Sequence, residues 1–132
     1  MFGLKPIPVV LATVVFWFLG FIWYGVVFSD AWMAGHGIPA DQAGGFDIYM
    51  LGGVLITLLQ VIGLAFVLSW RNASGINEAV KTVLIVWLLL ALPIIMYDYI
   101  YVPAHNSTLL MIDGSYVLVG WLASAVILAV MK

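Results

Sequence analysis

The chain contains no cysteine, which excludes disulfides, thiol nucleophiles and thiolate metal sites. Its two histidines, His36 and His105, both lie outside the long apolar runs, so no histidine is placed to hold a haem between helices. Charge is equally scarce. Asp, Glu, Lys and Arg make up 8% of 132 residues, against about a quarter in a soluble domain, so most of the surface must face lipid. A net charge of −2 gives no reason to expect nucleic acid as a partner. No Ser-His-Asp order, phosphate-cradling glycine loop or metalloprotease helix motif is present. Nothing supports catalysis, and no cofactor or metal is implied.

What the chain has is apolar length. Hydrophobic residues are 66% of the total and gather in four runs, roughly 7–28, 48–70, 79–102 and 109–131. Each reaches the length of about 20 residues that a helix needs to cross a bilayer. The expected fold is all-α: an integral membrane four-helix bundle occupying residues 1–132 as one membrane domain. The first run follows a single lysine, is longer than a signal-peptide core and has no small-residue cleavage site near Gly20 to Gly25, so it reads as a retained helix.

The charges divide by side. Lys5, Arg71, Lys81 and Lys132 flank the same ends of the four runs, while Asp30, Asp41, Asp47, Asp98 and Asp113 fall at or near the opposite ends. Only Glu78 breaks the pattern. Basic residues in short loops set orientation, so both termini are expected in the cytoplasm. This bias argues against a dual-topology dimer. Both helical hairpins start on the same side, so the two halves cannot form an inverted repeat.

Local signals refine the map. Pro6 and Pro8 suit the first turn of a helix, where backbone donors are free in any case. The outer half of the first run is rich in rings, with Trp23 and Tyr24 at the level of an interfacial aromatic belt. Ser29 or Asp30 could cap a short surface helix through Ala31, Trp32 and Met33. The remainder of this outer loop contains Gly35, Gly37, Pro39, Gly44 and Gly45. Gly52, Gly53 and Gly63 would allow close helix approach in the second run, as would Gly120 and Ser124 in the fourth. Ser74 or Asn77 could cap the third helix, and Pro93 inside it predicts a kink near Leu89 to Leu92.

Four residues form the candidate polar site. Asp98 and Asp113 each sit about one turn from the outer end of antiparallel helices joined by a short loop, at similar depth, with His105 and Asn106 above them. Two carboxylates with an imidazole could bind a cation or relay a proton, or could simply be hydrated at helix ends. Gln60 lies near the bilayer midplane, where an amide seeks a partner on another helix or lines a path. His36 with the outer aspartates lacks a local ligand spacing and reads as an ordinary loop histidine. Asn106-Ser107-Thr108 matches a glycosylation acceptor, a pattern common by chance.

The run 23–33, Trp-Tyr-Gly-Val-Val-Phe-Ser-Asp-Ala-Trp-Met, resembles the bacterial membrane-protein family known as domain of unknown function 1761. Asp113-Gly114-Ser115-Tyr116 is similar to the opening of that family's final span. The resemblance implies a small four-span protein of the bacterial inner membrane and assigns no activity. The kinked third helix, Gln60 and the Asp98/Asp113 pair point to an oligomeric channel or carrier for a small solute or ion, while the small size, ring-rich first helix and lack of catalytic groups point to a non-catalytic accessory subunit of a larger membrane complex. An enzyme acting on lipids or quinones at the outer face has only the acidic cluster and His105 in its favour.

Overall fold

The computed structural model describes residues 5–36, 48–103 and 105–131, and all of its regular elements are helical. The sequence expectations for Gly37, Pro39, Asp41, Gly44, Gly45, Asp47 and Lys132 lie outside the described residues. Helix α1 spans Pro6–Ile22 and continues through a π-helical turn, Trp23–Val27, closed by the Phe28 N–H donating to the Trp23 carbonyl at 2.9 Å. Helix α2 follows immediately at Ser29–His36. Helix α3 is Ile48–Trp70. Helix α4, Gly75–Val86, a second π-helical turn, Trp87–Ala91, and helix α5, Leu92–Tyr101, form one 27-residue run. Helix α6 is Ser107–Val130. Four of these runs, Pro6–Val27, Leu51–Trp70, Gly75–Tyr101 and Ser107–Val130, are long and apolar enough to cross a membrane.

Where Pro93 predicts a kink, the backbone departs from α-helix. Proline has no N–H for the carbonyl four residues back, and its ring crowds the preceding turn. The backbone widens into the π-helical turn at Trp87–Ala91 and resumes as α-helix with Pro93 in its first turn.

The helix ends are set by backbone chemistry that refines the hydropathy boundaries. Asn72 adopts the left-handed conformation, φ 55°, just after α3. The Ala73 N–H bonds to the Leu68 carbonyl and the Asn72 N–H to the Ser69 carbonyl, both at 3.0 Å. This is the paired closure of a Schellman end, and Ala73 and Leu68 share one core cluster beneath it. Helix α4 starts at Gly75, four residues before the apolar run, because its cap is polar. Ser74 occupies the cap position without bonding through its hydroxyl; instead the Glu78 carboxylate accepts from the Ser74 N–H at 2.6 Å. The acidic residue that departs from the charge pattern is thus a helix-start residue, where negative charge is favoured. Helix α6 likewise starts two residues early, because Asn106 Oδ1 accepts from the Leu109 N–H at 3.1 Å.

Helix α6 is the hub and packs against α1, α2, α3, α4 and α5. Two buried clusters flank it. Leu64, Leu68, Ala79, Val83 and Ala125 form one, and Val9, Ala12, Phe16, Val61 and Ala65 form the other; Trp121 and Leu128 of α6 pack against both. Helices α1 and α6 approach closely at Gly120. A Cβ at Gly120 would overlap Phe16 Cε1, so the wholly buried Phe16 ring occupies the space a side chain would need. Ser124, also buried, donates to the Gly120 carbonyl at 2.8 Å. Gly52 and Gly53 behave differently from the close approach expected of them. A Cβ at either would meet nothing within 4 Å among the described residues. Among the described residues no other helix comes against α3 at these two glycines.

Candidate functional site

Hydrocarbon offers no hydrogen bonds, so each indole N–H and phenol O–H inside a span is best satisfied by another helix. In this fold three such donors converge on one short segment of α6. Trp23 Nε1 donates to Ser115 Oγ at 3.1 Å, the Tyr24 hydroxyl to Asp113 Oδ1 at 2.6 Å, and Trp87 Nε1 to the Gly114 carbonyl at 3.1 Å. Trp23 and Tyr24 open the π-helical turn that ends α1, and Trp87 opens the one that precedes α5. Both irregular turns therefore flank residues 113–115. Such single π turns recur at functional sites, where they re-aim side chains.

The rings close this network. Tyr24 meets Tyr116 edge-on at 5.2 Å and Trp32 of α2 edge-on at 5.7 Å between centroids. The Tyr116 hydroxyl donates to the Phe16 carbonyl at 3.1 Å and lies against Gly20, where a Cβ would come within 2.7 Å of it. Trp23 and Tyr24 are therefore not simply a lipid-facing belt. Each is half-buried and bonded across to α6, because the acceptors Asp113 and Ser115 sit at their depth.

Beside this network α5 and α6 leave a cleft of about 250 Å³ lined by Asp98, Asp113, Tyr99, Asn106 and several aliphatic side chains. Asp98 is exposed and Asp113 half-buried. Gly35 of α2 also borders the cleft, and a Cβ there would lie 2.7 Å from Leu109 Cδ2, so α2 is seated directly on the start of α6. Asn106, which matched a glycosylation acceptor, caps α6, and its Nδ2 would lie 3.1 Å from the same added Cβ at Gly35.

The four sequence candidates are thus divided. Asp98 and Asp113 share the cleft. His105 does not line it; this exposed residue, at φ 44°, turns back so that Nδ1 lies 2.7 Å from the Tyr99 carbonyl. Gln60 belongs to another layer, where its Oε1 accepts from Trp121 Nε1 at 2.9 Å. Among the described residues no three His, Asp or Glu side chains come together as a metal-holding group.

Sequence reasoning missed Tyr24, Trp87, Tyr116 and Trp121 as members of polar pairs. The available signal was the position of an N–H or O–H donor inside an apolar run, which demands an acceptor on a neighbouring helix. The run 23–33 and residues 113–116, separated by most of the chain, meet through Tyr24–Asp113 and Trp23–Ser115. No curated protein and no solved structure matches this chain. One family profile does match, over residues 7–129, and by it the chain belongs to the family described as protein of unknown function DUF1761.

Proposed function

We propose that this four-span protein binds a small cationic solute in the cleft between α5 and α6, as the recognition element of an oligomeric carrier or channel in the bacterial inner membrane. The observation that carries this reading is the pairing of Asp98 and Asp113 on one cleft at the end of the bundle remote from Lys5 and Arg71. Carboxylates at membrane depth are expensive, and they mark ion or substrate paths more often than they serve stability. Tyr24 fixes one carboxylate, and the exposed Asp98 is left to meet a solute. By the positive-inside rule this end faces outward and both termini face the cytoplasm.

A path through a single copy of the chain is not favoured. Phe16 fills the contact of α1 with α6, and the Gln60–Trp121 pair bridges α3 to α6. The path would run between copies, with the open face of α3 available for association. That same face supports a second reading, in which α3 packs on a larger complex as a non-catalytic accessory subunit. It exposes Leu51, Leu55, Ile56 and Leu59 together with Gly52 and Gly63.

The test is flux into liposomes holding the purified protein, with sodium, potassium and methylammonium as probes. Asp98→Asn should lower the flux of the transported cation at least tenfold while the protein stays folded and oligomeric. Native mass spectrometry of protein taken gently from its own membrane separates the two readings. A homo-oligomer supports the carrier or channel, and a fixed complement of foreign chains contradicts it.

A further inference from the structure

At the opposite end of the bundle, the starts of α1 and α4 and the ends of α3 and α6 leave a second cleft, of about 220 Å³. Its floor is apolar and includes Pro8, Val9, Leu68 and Leu128. Its polar members are Lys5, Ser69 and Asn72. No Asp or Glu lines it among the described residues.

The cleft lies at the boundary of the hydrocarbon layer. Each of the four apolar runs begins or ends beside it, at Pro6, Trp70, Gly75 and Val130. Trp70, the last residue of α3, is 75% exposed, as an indole at the headgroup level would be. The backbone at the lysine is set by its neighbour. A residue before proline is pushed out of the helical region, and Lys5, preceding Pro6, is extended at φ −96° and ψ 129°. Pro6 and Pro8 offer no N–H in the first turn of α1, so Lys5 is the group at this helix start best able to meet an anion. Arg71 lies exposed in the adjoining turn, where the Glu78 carboxylate accepts from the Ser74 N–H.

We infer that this cleft is a binding site for an anionic phospholipid. The phosphate sits by Lys5, with Ser69 and Asn72 as hydrogen-bonding neighbours, and the first part of an acyl chain lies on the apolar floor. Charge selects the class of lipid. Basic pockets between spanning helices suit anionic headgroups, whereas a zwitterionic lipid brings a cation of its own to Lys5. A free phosphate ester would meet the lysine and leave the floor bare. The inference needs only the membrane embedding and does not depend on the acidic cleft at the other end.

The experiment is native mass spectrometry of the full chain in neutral detergent, with phosphatidylglycerol and phosphatidylcholine added in equal amounts. Phosphatidylglycerol should bind preferentially at a stoichiometry of one. Lys5→Gln should cut that preference about fivefold, the weight of one cation near an anionic headgroup. Lys81→Gln removes an exposed charge that does not line the cleft and should leave the preference intact. Excess glycerol phosphate should not displace the lipid. Equal binding of the two lipids, equal losses in the two lysine variants, or displacement by glycerol phosphate would each overturn the assignment. Neither lysine is buried, so these variants test the site without threatening the fold.

Discussion

Replacing Gly120 with alanine adds one carbon to a filled contact between α1 and α6. That carbon would overlap Phe16 Cε1 and Cδ1, whereas carbons attract best at about 3.5–4.0 Å. The Phe16 ring has little room to retreat. It is wholly buried, and Tyr116 packs against it at 5.1 Å while bonding to the Phe16 carbonyl. Overpacking of this kind costs about 1–3 kcal/mol. Alanine also favours helix over glycine by up to about 1 kcal/mol, which would mask part of the loss. Gly63→Ala supplies the reference, since a Cβ at Gly63 meets nothing within 4 Å among the described residues and gains the same propensity. Unfolding in mixed micelles titrated with sodium dodecyl sulfate should place Gly120→Ala about 1–3 kcal/mol below Gly63→Ala. Adding Phe16→Leu to Gly120→Ala should cost less than the sum of the two single changes, because the clash is relieved. Equal stability of the two alanine variants, or strict additivity with Phe16→Leu, would refute the account of the α1–α6 contact.

The same titration tests the polar pairs. Tyr24→Phe and Asp113→Ala should couple by about 0.6 kcal/mol, the average for hydrogen bonds between helices in lipid, and by about 1.7 kcal/mol at most; a coupling of zero would remove the pair from the account. Trp121→Phe leaves the Gln60 amide without its donor, so adding Gln60→Leu should restore stability, because losing both partners is milder than orphaning one. A double variant less stable than Trp121→Phe alone would contradict that pairing.

Hydropathy counting was enough for the all-α class and the four spans, because twenty consecutive apolar residues have few other uses. The expected limits 48–70 coincide with α3, and the disturbance expected near Leu89 to Leu92 overlaps the π-helical turn at Trp87–Ala91. Counting placed α4 and α6 late, at Ala79 and Leu109. Their first turns are polar, and their limits are set by the Glu78 and Asn106 caps rather than by hydrophobicity. Counting along antiparallel helices also brings Asp98 and Asp113 to one depth. It could not supply Tyr24 as the partner of Asp113, because the azimuth of a span that is apolar all round is invisible in its sequence. The same blindness explains Gly52 and Gly53. A glycine facing lipid and one facing a helix look alike in sequence, and Gly120 is distinguished only by the Phe16 ring above it.

The central claim is that the acidic cleft and the basic end lie on opposite sides of a membrane. The absence of cysteine makes a direct test possible, because each introduced thiol is the sole target for a maleimide. Asp98→Cys reports the cleft, and Ser74→Cys reports the exposed α3–α4 turn without altering its charge. In intact cells a membrane-impermeant maleimide should label Asp98→Cys at once and Ser74→Cys only after permeabilisation. Labelling of both from one side, or the reverse pattern, would contradict the placement of the cleft at the outer face.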